Sequence, residues 1–195
     1  MAGEYVICEW NSVQEEYPKF QQAIASLEDK LIGKCNTEWA PKTFGALNVG
    51  DGQYGRTTIL PALFNGFAGA QLAHWRQTLT TAGHQTLLTG TRAGNTIPED
   101  FKIAWSGIAF PNKQMNISEI RFHIGDTKYG RIDLEELHTY NQPALIFEEG
   151  FTIDEEQAFE LWGYVKTPDF QRIVLLGACY YKQIDRVLGL PGAAL

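Results

Sequence analysis

Hydrophobic and polar residues alternate along most of the chain between residues 97 and 184. The alternation is clearest at residues 101–105, 119–124, 157–161 and 171–181. A period of two residues is typical of β-strands that place one face on a hydrophobic core. Turn residues divide the chain into eight strand candidates, at about residues 69–80, 84–90, 101–110, 117–125, 130–136, 144–148, 157–166 and 170–182.

Eight short strands spaced about ten residues apart favour an antiparallel sandwich or barrel over a parallel α/β sheet. We therefore predict an all-β fold of eight antiparallel strands. Residues 69–80 leave an alternative open, because Leu72, Trp75 and Leu79 would also share one face of a helix.

A helical pattern precedes the strands. It consists of four apolar residues spaced by four, three and four positions: Phe20, Ile24, Leu27 and Leu31. This spacing predicts one apolar stripe along an amphipathic helix. Pro18 suits its first turn and Gly33 its end, so we place the helix at about residues 17–32. Residues 4–10, before the helix, are either a short strand or an extended arm.

The segment after the helix, residues 34–66, contains glycine and proline too often for a long regular element. We therefore divide the chain into two parts. Residues 1–66 form an N-terminal arm with the helix and this Gly/Pro-rich connector, and residues 67–195 form the β-sandwich.

The formal net charge of −7 is concentrated in the middle of the chain. Residues 98–160 carry thirteen acidic against five basic side chains, whereas residues 161–195 carry two against four. No segment has the clustered Lys and Arg that bind a phosphate backbone, so we expect no strong nucleic-acid binding. We also expect no membrane span and no export, since no apolar run approaches ~18 residues and no secretory signal is visible.

The chain offers little that resembles a catalytic or metal-binding motif. Its four histidines are His74, His84, His123 and His138. They lie far apart in the sequence and form none of the spacings typical of a metal site, so we predict no metal and no other cofactor. Acidic doublets occur at residues 135–136, 148–149 and 155–156. Adjacent strand residues point to opposite faces, so a doublet is not a catalytic pair, and we predict no catalytic residues and no enzyme.

Three other motifs have structural explanations. The Gly-rich segments 50–56 and 90–94 each contain an arginine, but they lack the context of a P-loop or a dinucleotide site and are interpreted as turns. Asn116 begins a glycosylation sequon, a tripeptide that also arises by chance. Cys179 lies in an apolar strand and is expected to be buried.

Aromatic residues are numerous: five Trp, eight Tyr and eleven Phe. We expect five of them to fill a core between two sheets, namely Trp105, Phe110, Phe122, Phe159 and Tyr181. Trp10, Trp39 and the adjacent Tyr180 and Tyr181 are alternative candidates to anchor a partner surface. Stacking on a sugar is the competing use of such residues.

The strand pattern supports one resemblance. Residues 97–101 lead into Ile-Ala-Trp-Ser-Gly-Ile at 103–108, and the strands at 159–165 and 171–177 end the series. This layout of residues 67–184 resembles a single jelly roll and is similar to the capsid proteins of icosahedral viruses of archaea and bacteria. The similarity is one of strand patterns, so no functional residue is carried over from that family.

The resemblance implies a structural subunit of a virion shell, made in the host cytoplasm. Its partners would be other copies of itself and, in some shells, a second capsid protein. The N-terminal helix would then pack on another surface of its own domain or on a neighbouring copy. The candidate interface residues are Trp10, Phe20, Ile24, Leu27, Leu31 and Trp39.

Two other function classes stay open. A carbohydrate- or ligand-binding β-sandwich would need exposed aromatic side chains on one face or in the end loops. A jelly-roll enzyme would need a polar constellation that the sequence does not display. We favour the self-assembling shell protein.

Overall fold

The computed structural model describes residues 5–7, 18–39, 54–111, 115–139 and 144–182. These ranges are mostly antiparallel β-structure, as the all-β prediction requires. They contain two α-helices, α1 (Pro18–Glu38) and α2 (Glu135–Thr139). The strands are β1 (Tyr5–Ile7), β2 (Tyr54–Thr58), β3 (Phe64–Asn65), β4 (Arg76–Thr78), β5 (Gly83–Gly90), β6 (Phe101–Ala109), β7 (Ile117–Ile124), β8 (Thr127–Lys128), β9 (Ile132–Asp133), β10 (Ala144–Ile153), β11 (Phe159–Val165), β12 (Phe170–Arg172) and β13 (Val174–Lys182).

The strands form two larger sheets and one small ribbon. The first sheet has the order β1-β10-β6-β13-β2, with β6 in its centre. The second sheet has the order β3-β5-β11-β7-β8, with β11 in its centre and β9 also paired to β7. The ribbon joins β4 to β12. Every one of these pairs is antiparallel.

The core between the two sheets is built around Trp105, which is fully buried in the middle of β6. Its ring meets Phe122 of β7 edge-on at 4.7 Å between centroids and Phe159 of β11 at 5.4 Å. Trp105 Nε1 donates a hydrogen bond of 2.6 Å to the carbonyl of Gly107, so the buried indole has a partner. Because β6 belongs to the first sheet and β7 and β11 to the second, these contacts join the two layers. Each aromatic pair of this kind contributes about 0.5–1.5 kcal/mol beyond its burial.

Phe110 is also buried in this core, as predicted, but the prediction for Tyr181 is wrong. Tyr181 is half-buried near the end of β13, where its ring lies over Gly55. The neighbouring Tyr180 is the buried tyrosine, on the opposite face of the same strand.

Four of the eight strand candidates differ from the structure. Residues 170–182 form two strands, β12 in the ribbon and β13 in the first sheet, and the candidate at 144–148 continues to Ile153 as β10. Of residues 69–80, only β4 is a strand, because Gly69 at φ 74° turns the chain and Gly66 N–H bonds back to the Ala70 carbonyl. Of residues 130–136, only β9 is a strand. Asp133 accepts a hydrogen bond of 2.9 Å from the Glu135 N–H, and this cap begins α2.

The helix ends later than predicted. Gly33 does not stop it, and α1 continues to Glu38. The reason is tertiary packing: Leu31, Cys35 and Trp39 follow at four-residue intervals and are all buried, so the apolar stripe continues past the glycine.

The connector predicted for residues 34–66 contains sheet strands. β2 pairs with β13 in the first sheet, and β3 pairs with β5 in the second. β1 pairs with β10, at the other edge of the first sheet. The proposed boundary at residue 67 therefore separates strands that belong to the same sheets.

Candidate functional site

The helix α1 lies across the outer face of the first sheet. Leu27, Leu31 and Trp39 are only 6%, 0% and 3% exposed, and they form one cluster with Ala104 of β6 and Ala178 of β13. The first sheet is therefore covered on both faces, by the second sheet and by the helix. This explains why β6 is buried at seven consecutive positions instead of alternating.

We call the contact between α1 and the outer face of the first sheet the seam. The structure places four of the six candidate interface residues in it. Besides the three above, Ile24 is half-buried beside Ala144 and Ile146 of β10. Trp10 and the side chain of Phe20 lie outside the described residues. A role for any of the six in contacts between copies stays a prediction.

Small residues let the helix approach the sheet closely. Ala104 and Ala178 present only methyl groups beneath it. Gly150 of β10 has φ 65°, and a Cβ at that position would come within 2.6 Å of Leu27 Cδ2. A larger side chain at any of these positions would push the helix away from the sheet.

A buried lysine lies at the C-terminal end of α1. The side chain of Lys102, on β6, is 1% exposed, and its Nζ is 2.5 Å from Glu38 Oε2. The same Nζ lies 3.6 Å from Asp154 Oδ1 and 3.6 Å from Glu155 Oε1, in the turn after β10. It also lies 5.4 Å from the centroid of the Trp39 ring. A buried ammonium is tolerated only with such partners, because desolvation alone would be costly.

The carboxylates around Lys102 are held by further contacts. Asp154 Oδ2 accepts a hydrogen bond of 2.6 Å from Lys34 Nζ of α1. Glu155 accepts from Trp39 Nε1 at 3.2 Å and from the Asp100 N–H at 3.0 Å. This network joins the end of α1 to the start of β6 and to the turn that follows β10.

The network stabilises the charged form of the lysine. Burial acts to lower the pKa of Lys102, but the hydrogen bond to Glu38 opposes it. The charges of Asp154 and Glu155 act in the same direction as Glu38, and the net pKa lies above its usual value.

A second polar cluster connects the middle of α1 to strands β2 and β13 of the first sheet. Arg56 of β2 forms a two-pronged ion pair with Glu28 of α1, with both donor–acceptor distances at 2.8 Å. The Tyr180 hydroxyl donates to Glu28 Oε2, also at 2.8 Å. The hydrogen bond from Arg56 is the main cause of the lowered pKa of Glu28, with burial acting against it and Tyr180 adding to it. Burial, followed by Glu28, raises the pKa of Tyr180.

The charges of these two clusters are largely balanced: Arg56 balances Glu28, and two lysines, Lys34 and Lys102, oppose three carboxylates. The cations and carboxylates pair with each other at the seam between helix and sheet, and none of them is set beside an activated nucleophile. Their chemistry is that of attachment: they hold α1 in one position on the first sheet.

The outer face of the second sheet is different, because aromatic and charged side chains lie open on it. Trp162 and Tyr164 are two residues apart on the central strand β11 and therefore share a face. Tyr164 is 39% exposed. The Arg121 guanidinium lies 5.4 Å from the Trp162 ring centroid, and the His84 ring meets Tyr164 edge-on at 5.1 Å.

Acidic groups accompany these rings. Glu160 accepts hydrogen bonds from Asn95 Nδ2 at 2.5 Å and from Trp162 Nε1 at 3.0 Å, and it lies 3.6 Å from His123 Nδ1. The Trp162 hydrogen bond is the main cause of the lowered pKa of Glu160. On the neighbouring strand β7, Glu119 Oε2 lies 3.0 Å from an Arg131 guanidinium nitrogen. The face thus combines rings for stacking with donors and acceptors for hydrogen bonding.

Metal-site and modification candidates are placed as follows. Within the described residues no group of three or more His, Cys, Asp or Glu side chains is arranged to hold a metal ion. Asn116, the sequon residue, is 2% exposed and donates to the Phe170 carbonyl, so the folded chain does not present it for glycosylation. Cys35 and Cys179 are free and buried, as expected for Cys179. No helix in the described ranges is long and apolar enough to cross a membrane.

Sequence reasoning missed both polar clusters. The only local signal was Lys102 itself, a charge inside the apolar segment 101–105. Its partners are distant in sequence, since Glu38 precedes it by 64 residues. Glu28 and Arg56 carry no local signal of pairing.

Comparison with known proteins does not identify a relative. No protein-family model matches the sequence, and no curated protein or solved structure is significantly similar to it.

Proposed function

We propose that the chain is a self-assembling structural subunit of a virion shell, built on a jelly roll. The strand order carries this proposal. We number eight strands of a jelly roll in chain order: β2, β5, β6, β7, the short strands β8 and β9 counted together (both paired to β7), β10, β11 and β13. In this numbering, neighbouring strands of the first sheet follow the order 6-3-8-1, and those of the second sheet follow the order 2-7-4-5. This is the strand order expected of a jelly roll, which consists of two Greek keys.

The surfaces of the fold are compatible with assembly. The first sheet is closed by its own helix, which leaves the outer side of α1, the second sheet and the two ends of the sandwich to meet other molecules. Loops at the ends of a sandwich tolerate changes in length without disturbing the core. In this proposal the partners are other copies of the chain or a second shell protein, and the destination is the virion.

The proposal is tested by size-exclusion chromatography with light scattering, followed by negative-stain imaging of the purified full chain. We expect concentration-dependent assembly into polygonal or closed particles. A chain that stays monomeric across the accessible concentration range and a range of salt and pH would refute a shell function.

One observation favours a second candidate, a carbohydrate-binding β-sandwich. Trp162 and Tyr164 present two aromatic rings on one sheet face, with Arg121, Glu160 and His123 beside them. A glycan array probed with wild type and with Trp162→Ala decides it. Binding by the monomer that the substitution abolishes would establish this function in place of the shell.

A further inference from the structure

We infer that the outer face of the second sheet binds an acidic saccharide, whose ring stacks on Tyr164 beside Trp162 and whose carboxylate pairs with Arg121. The inference rests on the second candidate function, carbohydrate binding, and names the class of sugar. Its basis is the arrangement of rings and charges on this face.

The Trp162 side chain is held in one orientation by its own neighbours. Its Nε1 donates a hydrogen bond of 3.0 Å to Glu160 Oε2, and Glu160 Oε1 accepts one of 2.5 Å from Asn95 Nδ2. Both carboxylate oxygens of Glu160 are therefore bonded within the chain. A ring that is fixed before binding loses little conformational entropy when a ligand packs against it.

Tyr164 extends the aromatic surface along β11. It is 39% exposed and lies two residues beyond Trp162, so the two rings share one face at a spacing of about 7 Å between Cα atoms. The His84 ring meets Tyr164 edge-on at 5.1 Å and supports its orientation. On β5, Thr86 lies opposite Trp162 and adds a hydroxyl to this face. Exposed rings with polar neighbours suit a sugar, which has apolar C–H groups on its ring and hydroxyls around it.

The two glutamates of this face have partners, whereas Arg121 has no acidic one. Glu119 Oε2 lies 3.0 Å from an Arg131 guanidinium nitrogen, and Glu160 is bonded as described above. Arg121 is exposed, and its guanidinium lies 5.4 Å from the Trp162 ring centroid. Among the described residues, no carboxylate lies within ion-pair distance of it. The charge that would complement this face is therefore negative.

A second cation lies close to Arg121. Lys128 of β8 is exposed and lies directly opposite His123 of β7, two residues from Arg121 on the same face. Within the described part of the chain Lys128 has no acidic partner either. An arginine with a free guanidinium edge binds a carboxylate through two parallel hydrogen bonds, and a neighbouring ammonium strengthens the attraction.

The surroundings of these cations favour a single carboxylate over a polyanion. Glu119 lies directly opposite Asp133 of β9, so two further negative charges belong to the same face, and the chain carries −7 in total. A nucleic acid presents a phosphate at every nucleotide and binds to clustered Lys and Arg. A saccharide with one carboxylate on each ring needs one cation beside one aromatic side chain, which is what Arg121 and Tyr164 supply.

The test is isothermal titration calorimetry of the full chain with two matched ligands. One is a tetrasaccharide of hexuronic acid, and the other is the same tetrasaccharide with its carboxyl groups reduced to alcohols. We expect wild type to bind the acidic form at least roughly tenfold more tightly than the reduced form at low salt. The difference should shrink as sodium chloride is added, because the pair of charges is open to solvent.

The variants assign this preference to named side chains. Arg121→Gln should bind both forms with the affinity that wild type has for the reduced form. Tyr164→Ala should weaken the binding of both forms about two- to tenfold, since stacking does not depend on the carboxylate. Lys30→Gln removes the same charge from the exposed side of α1, which covers the other sheet, and should bind like wild type. Arg121 and Tyr164 are exposed, so thermal unfolding of these variants should match wild type.

Two outcomes separate this inference from the candidate function on which it rests. If wild type binds both forms equally well, or if Arg121→Gln keeps the preference for the acidic form, the acidic sugar is wrong while carbohydrate binding stands. If wild type binds neither form, carbohydrate binding and the inference fail together, and the shell proposal is untouched.

Two further outcomes would identify a different occupant. A single-stranded oligonucleotide that binds wild type more tightly than the acidic tetrasaccharide, and that Arg121→Gln no longer binds, would make the partner a nucleic acid. Loss of self-association by Arg121→Gln in sedimentation velocity, with saccharide binding unchanged, would make this face a contact between copies. Either result overturns the inference.

Discussion

The central strands of the two sheets, β6 and β11, have the same place in the sandwich but opposite surroundings. β6 is buried on both faces, by the other sheet and by α1, whereas β11 alternates between buried residues and residues that are half-buried or, at Tyr164, exposed. The difference is visible in the residues that point away from the core. β6 presents Lys102 and Ala104 to the helix, and β11 places half-buried Trp162 and exposed Tyr164 on the outer face of its sheet. The outer face of the first sheet is thus covered by a helix of the same chain, whereas the outer face of the second sheet can contact another molecule.

The two faces also use charge differently. Under the helix, Lys102 is enclosed by three carboxylates and has almost no contact with solvent. On the open face, Arg121 and the Glu160 cluster remain accessible to an incoming molecule. A buried charge such as Lys102 is costly to leave without its partners, whereas an exposed charge such as Arg121 contributes little to folding.

The largest expected change in stability comes from disrupting the packing of α1 on the first sheet. Leu31→Asp places a carboxylate where exposure is 0%, beneath α1. We expect a loss of about 3–5 kcal/mol in the free energy of unfolding, or release of the helix from the sheet. Urea denaturation measures it, with Ser26→Asp on the exposed side of the same helix as control. Equal stability of the two variants would show that the helix is not packed as described.

A smaller loss is expected when the buried cation is removed. Lys102→Met keeps the length of the side chain but leaves Glu38, Asp154 and Glu155 without it. Because these carboxylates are 25–47% exposed, water compensates in part, and we expect a loss of about 1–3 kcal/mol. The double variant Lys102→Met/Glu38→Gln should lose less than the sum of the two single variants in denaturation experiments. Strict additivity would mean that the two side chains do not interact.

Low pH should destabilise the packing of α1 by protonating Glu28, which pairs with Arg56. Its pKa in the folded chain lies below the usual 4.5, so ionised Glu28 stabilises the fold above about pH 4.5. That contribution is lost as pH falls below 4.5 and through the folded pKa. We expect it to be about 1 kcal/mol or less, because the partner Arg56 is 59% exposed. Glu28→Gln should flatten this part of the stability–pH curve, and an unchanged acid limb would exclude the role of Glu28.

A similarly small effect on folding is expected on the open face of the second sheet. Trp162→Ala should change stability by about 0.5–1 kcal/mol, whereas Trp39→Ala, in the covered seam, should cost about 3 kcal/mol. Thermal unfolding of the two variants compares the faces directly. Similar losses for both tryptophans would mean that the outer face of the second sheet is also a packed surface.

The prediction of the candidate site from sequence was incomplete for a physical reason. The stripe of Ile24, Leu27 and Leu31 was evident from periodicity, because a helix repeats its apolar face every three to four residues. What the stripe packs against was not evident. The pairing of Lys102 with Glu38 depends on a sheet and a helix that meet only after folding, so neither residue signals it alone.

The prediction of the fold likewise succeeded where local periodicity sufficed and failed where tertiary contacts decided the structure. Alternation identified β5, β6, β7, β10, β11 and β13 and the all-β class, because each strand buries one face or both. The sequence predicted a strand across residues 69–80 and a helix end at Gly33, and tertiary contacts overruled both. A turn at Gly69 is stabilised by its neighbours, and a helix continues past a glycine when the residues beyond it are buried.

Local periodicity and composition were enough to identify most of the longer strands, the amphipathic helix and the part of the chain where acidic charge accumulates, but not the short strands β2 and β3. The tertiary structure alone decided which sheet face the helix covers, which charges are paired beneath it and which aromatic residues stay open to solvent. These properties belong to surfaces made of residues far apart in the chain, and such surfaces exist only once the strands have been ordered into sheets.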